Sequence, residues 1–201
     1  MRRTIARASE DLTMIVSRDP SIRGRAEALL HPALPALWAH RLAHVLHGRG
    51  HRQRARIVAY LARVVTGIEI HPSARLGRRV FIDHGAAVVI GETAQIGDDV
   101  TIFHQVTLGA VGWWRDAKRE PGERRHPVIG DRVVLGAGAT VLGPITIGDD
   151  ALIGASSLVL TDVPARARVH APAAVIVPAK SPTDLPEPAL ALSALASAGC
   201  W

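Results

Sequence analysis

Residues 129–153 read IGDRVVLGAGATVLGPITIGDDALI, and an apolar side chain recurs in them at every sixth position. The same period begins at residue 70 and is interrupted twice before residue 160. The apolar positions are Ile70, Leu76 and Ile82, then Ile90, Ile96, Ile102 and Leu108, and finally Ile129, Leu135, Val141, Ile147, Ile153 and Val159. A period of six excludes an α-helix, because it is not a multiple of 3.6 and no apolar stripe would persist.

The repeat predicts a mainly β protein, a parallel β-helix in which three six-residue sides make one triangular coil. Glycine follows most of the apolar residues, and we expect it to permit the turn between sides. A small or β-branched residue, such as Ala74, Ala86 or Val133, stands four places after each apolar one and should pack near a corner. Each coil covers its neighbour's core, so stability should come from stacking.

Three regions are predicted: an N-terminal helical region over residues 1–67, a β-helix domain over 68–180 and a loose tail over 181–201. A charged loop over residues 110–128 is inserted in the β-helix. The first helix should start with Ser9 as its N-cap and stop at Asp19-Pro20. The second should open at Pro35 with Trp38, Leu42, Val45 and Leu46 on one face. The third should end at Gly67 and carries Ile57, Leu61, Val64 and Val65.

The net charge of +6 belongs to the N-terminal region. Residues 1–66 hold twelve Arg and four acidic residues, whereas residues 67–201 hold twelve basic and fourteen acidic residues. A nucleic-acid-binding groove typically combines clustered cations with aromatic side chains. The Arg residues of the N-terminal region are not interleaved with aromatic residues in this way. We therefore expect no nucleic-acid partner.

The single cysteine, Cys200, has no intramolecular partner, which suits a reducing compartment. Glu10, Asp11 and Asp19 interrupt the first twenty residues, which a secretory signal would not tolerate. No apolar run approaches the length of a membrane span. These features predict a cytoplasmic protein without a membrane partner.

Two irregularities in the repeat mark candidate functional residues. Two extra residues enter at Asp83-His84-Gly85, and the inserted loop ends in Arg124-Arg125-His126-Pro127. Packing of a regular β-helix requires neither, and long insertions in short-looped folds are often functional. Histidine is a natural general base near neutral pH. His84 and His126, with Asp83 and Arg125 beside them, could therefore deprotonate a hydroxyl and hold a small charged substrate.

The motifs at these irregularities resemble the serine O-acetyltransferases, a family of hexapeptide-repeat acyltransferases. The likeness runs from about residue 9 to residue 180, and its most specific part is the Asp-His motif followed by Gly-Glu-Thr-Ala. The matching stretches are Arg18-Asp19-Pro20, Ile70-His71-Pro72-Ser73-Ala74, residues 82–94 (IDHGAAVVIGETA), Gln105-Val106-Thr107-Leu108-Gly109, Arg125-His126-Pro127 and Leu135-Gly136-Ala137-Gly138-Ala139. The resemblance implies a left-handed β-helix, which the period alone does not.

The resemblance also implies a role for each matching residue. His84 would be the general base, oriented by Glu69, where the family usually has Asp, and His126 would be a second catalytic residue. The amino acid would be held by Asp19, Asp83, Arg125 and Glu92, and acetyl-CoA would lie along Gly109, Ala137 and Ala155. The implied substrates are L-serine and acetyl-CoA, with direct transfer and no metal.

The resemblance further implies a homotrimer or a dimer of trimers, with active sites between neighbouring β-helices. Family members that bind O-acetylserine sulfhydrylase typically end in Ile, whereas this sequence ends in Gly199-Cys200-Trp201. The indole is bulkier than an Ile side chain, so we expect no tight complex with a typical sulfhydrylase.

Three alternatives remain open from the residues. The acceptor could be a sugar or another hydroxy-amino acid such as homoserine, although Asp19, Asp83 and Arg125 suit a zwitterion better. The chain could be a zinc-dependent lyase of the carbonic-anhydrase type. Its imidazole ligands would come from His71, His84, His104 and His126. The solenoid could also be a non-catalytic assembly module.

Overall fold

The computed structural model describes residues 2–120 and 122–174, and within these residues fourteen short strands form three parallel sheets. The strands are β1 (Glu69–Ile70), β2 (Arg75–Leu76), β3 (Phe81–Ile82), β4 (Val89–Ile90), β5 (Gln95–Ile96), β6 (Thr101–Ile102), β7 (Thr107–Gly109), β8 (Val128–Ile129), β9 (Val134–Leu135), β10 (Thr140–Leu142), β11 (Thr146–Ile147), β12 (Leu152–Ile153), β13 (Leu158–Val159) and β14 (Arg168–Val169). The chain winds through them as a left-handed parallel β-helix, as predicted.

From β1 to β13 every third strand belongs to the same face of the prism, and β14 follows β12 on the third face. Sheet A has the order β1-β4-β7-β10-β13, sheet B has β2-β5-β8-β11, and sheet C has β3-β6-β9-β12-β14. The register pairs equivalent repeat positions, so Ile90 of β4 faces Ile70 of β1 on one side and Leu108 of β7 on the other. Two of the three corners carry the candidate site residues. The C–A corner follows sheet C and holds residues 83–88, and the A–B corner follows sheet A and holds residues 91–94 and the inserted loop.

The predicted apolar positions line the interior of the prism. All of them are buried except Leu76 at the first coil, which is partly buried. The expectation for one small residue was wrong: Ala86 is exposed, and Val88 is fully buried in its place. The two extra residues at the C–A corner shift the buried position from 86 to 88, so that β4 re-enters the sheet in register.

The expected reason for the repeated glycines was also wrong. Gly77, Gly136 and Gly148 do not have a positive φ, so they are not needed for the turn itself. Instead, the next coil lies directly against them: a Cβ on Gly136 would come within 2.6 Å of the Ala155 nitrogen. Left-handed turn conformations are carried at the B–C corner by the column Arg79, Asp99, Arg132, Asp150 and Arg166.

This corner column alternates in charge from coil to coil. Arg79 donates two hydrogen bonds to the Asp99 carboxylate, at 2.7 and 2.5 Å, and Arg132 donates two to Asp150, at 2.7 and 2.8 Å. The first pair is partly buried and the second is exposed, and solvent-accessible pairs of this kind each contribute little stability. Opposite charges nevertheless meet only when the coils stack in this register.

Helices α1 (Arg2–Arg18), α2 (Arg25–Ala28), α3 (Ala33–Gly48) and α4 (Arg52–Thr66) precede the solenoid, and α5 (Trp113–Asp116) lies in the inserted loop. The predicted N-cap at Ser9 was wrong, because the Arg- and Ala-containing segment before it extends α1 back to Arg2. The second helix begins at Ala33, two residues before Pro35, which its first turn tolerates. Gly67 ends α4 as predicted, with a φ of 70°.

Helix α3 covers the N-terminal end of the prism. Ala33, Ala36 and Leu37 join the buried core. His40 Nε2 lies 3.1 Å from the carbonyl oxygen of Ala74, and burial lowers the pKa of this histidine to about 3. His40 is therefore neutral and donates a hydrogen bond that holds the helix to the first coil.

The apolar stripe predicted on α3 does not face this core. Trp38, Leu42 and Val45 are exposed in the single chain, because the smaller residues of the opposite face fit closer to the first coil. Helix α4 extends the same open apolar surface with Ile57, Tyr60, Leu61, Val64 and Val65.

Met1–Ala171 form one compact unit, and Pro172–Trp201 form a second, of which only residues 172–174 are described. The predicted tail over 181–201, with Cys200 and Trp201, lies outside the described residues. In the described part of the chain, no helix has the combined length and apolar character that a bilayer crossing requires.

We predict that Gly148→Ala lowers the free energy of unfolding by about 1–3 kcal/mol, the usual range for overpacking. Its Cβ would lie 2.8 Å from Ala165 Cα and 2.9 Å from the Pro164 carbonyl carbon, both of which are backbone atoms of the next coil. Urea unfolding at matched protein concentrations measures the change. Gly48→Ala is the control, because its Cβ would meet no atom within 4 Å. Equal stability of the two variants would contradict this account of the glycines.

Candidate active site

The C–A corner presents His84 at the two-residue slip. His84 and Gly85 both have positive φ, at 58° and 76°, and they make the extra turn between β3 and β4. The His84 side chain is 75% exposed, and its Nε2 lies 3.8 Å from Asp83 Oδ1. This imidazole is therefore accessible to a substrate from outside the prism, next to a carboxylate.

The end of α1 brings Asp19 to the same corner. Phe81 of β3 packs with Met14 and Ile15 of α1, which fixes the helix beside Asp83. Asp19 accepts hydrogen bonds from the Ser21 hydroxyl at 2.6 Å and the Ser21 N–H at 2.9 Å, and these bonds lower the pKa of its carboxyl. Asp19, Asp83 and His84 therefore form one half-site, which we call the base half-site.

Two further histidines border the base half-site. His31 Nε2 lies 3.8 Å from Asp19 Oδ2, and burial lowers the pKa of His31. The His104 ring lies 5.8 Å from that of His84, edge to face. Sequence reasoning did not assign His31, because nothing in its local pattern shows that α2 and α3 place it here.

The A–B corner holds the other predicted residues. The Arg125 guanidinium donates a hydrogen bond to Glu92, and its Nη1 lies 3.7 Å from Asp116 Oδ2. Asp116 ends α5, so the inserted loop supplies a second carboxylate that the sequence analysis did not identify. We call Glu92, Arg125 and His126 the arginine half-site.

Charge and burial act against each other at Glu92. Burial tends to raise the pKa of this carboxyl, but the positive charges of Arg125 and of His71 when protonated lower it overall. His71 itself has its pKa lowered to about 4, chiefly by burial, so Arg125 is the lasting positive partner near neutral pH. Glu92 therefore stays ionised and holds Arg125 in place.

His126 is packed into the corner with only 7% of its surface exposed. Its Nδ1 lies 3.2 Å from the Thr93 nitrogen and 2.9 Å from Thr93 Oγ1. A Cβ on Gly91 would overlap the imidazole at Cδ2 and Nε2 and lie 3.0 Å from Cε1, so only glycine leaves room for this ring. Burial lowers the pKa of His126.

Glu69 lies on β1, with its carboxylate 3.1 Å from Arg63 Nη1 of α4. Both side chains are about half exposed, at 47% and 61%, so this pair is weakly held. The expected orientation of His84 by Glu69 stays a prediction.

The candidate cofactor residues divide between the two corners. Ala137 and Ala155 occupy the C–A corner in successive coils, where the Ser156 N–H donates to the Ala137 carbonyl at 2.8 Å. Gly109 ends β7 at the A–B corner, where its carbonyl accepts a hydrogen bond from the Gly143 N–H at 2.9 Å. The structure thus places two of the three along the corner that carries His84.

The two half-sites are separated by sheet A. One six-residue side of the prism spans roughly 20 Å at about 3.3 Å per residue. Residues of one corner therefore do not meet those of the other around one small molecule. The four histidines of the zinc alternative divide in the same way, with His84 and His104 at the C–A corner and His71 and His126 at the A–B corner. Among the described residues, no group of three or more His, Cys, Asp and Glu is arranged to hold a metal.

The chain was compared with known families and proteins. Residues 126–161 match the family described as "Bacterial transferase hexapeptide (six repeats)". A serine acetyltransferase of Helicobacter pylori is 52% identical over 157 residues, which cover 78% of this chain and 88% of that protein. One of Mycobacterium tuberculosis is 49% identical over 168 residues, which cover 83% of this chain and 67% of that protein.

Solved structures show the same likeness. The structure titled "Soybean Serine Acetyltransferase Complexed with Serine" matches with a TM-score of 0.78 and 40% identity. The match covers 88% of this chain and 70% of that one. The similarity therefore includes both the helical region and the solenoid.

We predict that Gly91→Ala displaces the His126 ring and raises its pKa toward the ordinary value of histidine. The physical reason is that the added methyl group occupies the position of the ring, which must then move toward solvent and lose the burial that lowers its pKa. A histidine titration followed by nuclear magnetic resonance measures the change. Gly24→Ala, whose added Cβ would meet no atom within 4 Å, should leave the titration as in the wild type. An unchanged His126 pKa in Gly91→Ala would contradict the geometry.

Proposed function

Because this chain belongs to the serine acetyltransferase family, we propose that it transfers the acetyl group of acetyl-CoA to the hydroxyl of L-serine, giving O-acetylserine. One observation supports this assignment beyond the relationship itself. The irregular corners present the groups that the transfer needs, with an accessible imidazole beside carboxylates at one corner and an arginine clamp at the other.

Charge complementarity explains why the acceptor is an amino acid. The ammonium group of serine is placed against Asp19 and Asp83, and its carboxylate against Arg125. Hydrogen bonds between ionised partners are stronger than neutral ones, and a guanidinium can bind a carboxylate with two of them. Glu92 and Asp116 hold the guanidinium from the protein side and leave its other N–H groups for the substrate.

His84 acts as the general base. It takes the proton from the serine hydroxyl while the oxygen attacks the thioester carbonyl carbon, and the C–S bond then breaks. The departing coenzyme A thiolate receives the proton that His84 took from serine, so the products are O-acetylserine and free thiol and His84 is neutral again. The attack is direct, and no covalent enzyme intermediate forms. In this proposal Glu69 orients the imidazole. Its carboxylate must therefore leave Arg63 and bind His84 instead.

Acetyl-CoA is assigned to a groove at the subunit boundary, where Ala137 and Ala155 of one chain would face Gly109 of its neighbour. Small side chains suit a long, narrow ligand at these positions. A thioester is already reactive toward a deprotonated hydroxyl, so the proposed step uses no metal. We place this reaction in the cytoplasm.

A homotrimer would bring the two half-sites together. The base half-site of one chain and the arginine half-site of its neighbour would face each other across the subunit boundary. The exposed apolar surface of α3 and α4 also suits an oligomer, because surfaces of this kind usually mark protein–protein contacts. This surface would be available to pair two trimers.

Purified protein should release coenzyme A thiol from acetyl-CoA when L-serine is supplied, and His84→Ala should lower kcat by about 100-fold or more. A thiol-detecting assay across serine, homoserine and a panel of sugars measures both. His51→Ala is the control, because His51 is exposed at the N-cap of α4, away from both corners. Release with a sugar but not with serine would refute the proposed acceptor. Near-normal turnover of His84→Ala would refute the proposed base.

Chains carrying His84→Ala and chains carrying Arg125→Ala should restore activity when they are unfolded, mixed in equal amounts and reassembled. In a trimer assembled at random, each site takes its base half-site from one chain and its arginine half-site from another. Each of the two is intact in about half of the cases, so about one quarter of the sites are complete. The assay is run at subsaturating serine, since Arg125→Ala should chiefly raise the KM for serine. Each variant reassembled alone is the control. A mixture no more active than the two controls would place the whole site within one chain.

A further inference from the structure

Thr93, in the A–B corner that follows β4, links that coil to the arginine half-site. Its hydroxyl oxygen accepts hydrogen bonds from the backbone N–H of Arg125 at 2.9 Å and of His126 at 3.1 Å. Both donors belong to the last residues of the inserted loop. A single side chain thus fixes the backbone from which Arg125 and His126 project.

The same residue determines which ring nitrogen of His126 carries the proton. The Thr93 backbone N–H lies 3.2 Å from His126 Nδ1 and can only donate. Nδ1 must therefore be an unprotonated acceptor, and the proton of the neutral ring lies on Nε2. The Thr93 hydroxyl, whose oxygen already accepts two bonds, directs its own proton to Nδ1 at 2.9 Å.

We propose that Thr93 is a positioning residue that holds His126 as a neutral Nε2–H donor, so that the two histidines of the proposed site have different roles. His84 takes a proton, whereas His126 gives a hydrogen bond to an oxygen acceptor of the substrate or of the reacting thioester. This inference rests on the proposed function, because it assigns His126 a part in that reaction.

Protonation of His126 would disrupt this arrangement. An imidazolium carries a hydrogen on Nδ1, which would point at the N–H and hydroxyl donors of Thr93. The other charged groups that face the ring are Arg125, which disfavours the cation, and Asp116 and Glu92, which favour it. Burial adds to the effect of Arg125 and lowers the pKa of His126. His126 is therefore neutral near pH 7.

Two variants separate the hydroxyl from the bulk of the side chain. Thr93→Val keeps the shape but removes the hydroxyl, whereas Thr93→Ser keeps the hydroxyl and removes only the methyl group. Ring-nitrogen chemical shifts of ¹⁵N-labelled histidine report the tautomer and the pKa of His126 in the full-length protein. The His126 signals are identified by their loss in His126→Gln. This measurement does not depend on catalysis, so it decides the inference even if serine is not the acceptor.

In wild type and Thr93→Ser we expect His126 to be protonated on Nε2 alone. In Thr93→Val we expect a higher His126 pKa, because one of the two donors to Nδ1 is lost and the cation is less disfavoured. The kcat/KM for serine should fall roughly tenfold in Thr93→Val, the effect of about one hydrogen bond, and remain within twofold in Thr93→Ser.

An unchanged His126 pKa in Thr93→Val would overturn the proposal, as would a Thr93→Ser variant that behaves like Thr93→Val. Circular dichroism and urea unfolding show whether Thr93→Val is folded. If it is not, Thr93→Ser and Gly91→Ala still decide the question. The first must retain the wild-type tautomer and pKa, and the second, which moves the ring away from Thr93, must raise the pKa of His126.

Discussion

Main-chain hydrogen bonding between stacked coils is the interaction on which the rest of the structure depends. Each strand of a sheet donates to the strand one coil further on, as Glu69 does to Val88 and Val89 to Val106, both at 2.9 Å. The sides of the prism are short, so almost all of this pairing is between coils. A coil by itself has no partner for its backbone or cover for its apolar residues, and it is stable only in the stack.

Close stacking determines what each corner can hold. Where the backbone of the next coil lies against a residue, as at Gly136, a side chain has no room. Where the chain turns outward, equivalent residues stand above one another, and the alternating column from Arg79 to Arg166 forms there. Extra residues fit only at corners, because an insertion within a side would shift the inward positions. The two functional irregularities therefore lie at corners.

The half-sites at these corners differ in their electrostatics. His84 is exposed beside Asp83, so it can exchange protons with a substrate. His126 is buried against Gly91 and held by Thr93, and burial lowers its pKa. Burial and the surrounding donors thus give two histidines with the same intrinsic chemistry different environments, on which their different proposed roles rest. In the proposed trimer they would meet across a subunit boundary.

The sequence by itself determined the β-helix, the inward residues and the two irregular corners, because a six-residue period admits few other packings and its breaks are visible at once. It also put forward Asp83, His84, Arg125 and His126 as candidate site residues. It did not show that Gly136 and Gly148 are required by the adjacent coil, that Ser9 lies within α1, or that Trp38 faces outward. It assigned nothing to Thr93 or Asp116. These depend on distances between residues far apart in the chain, such as Thr93 and His126, and only the stacking of one coil on the next brings such residues together.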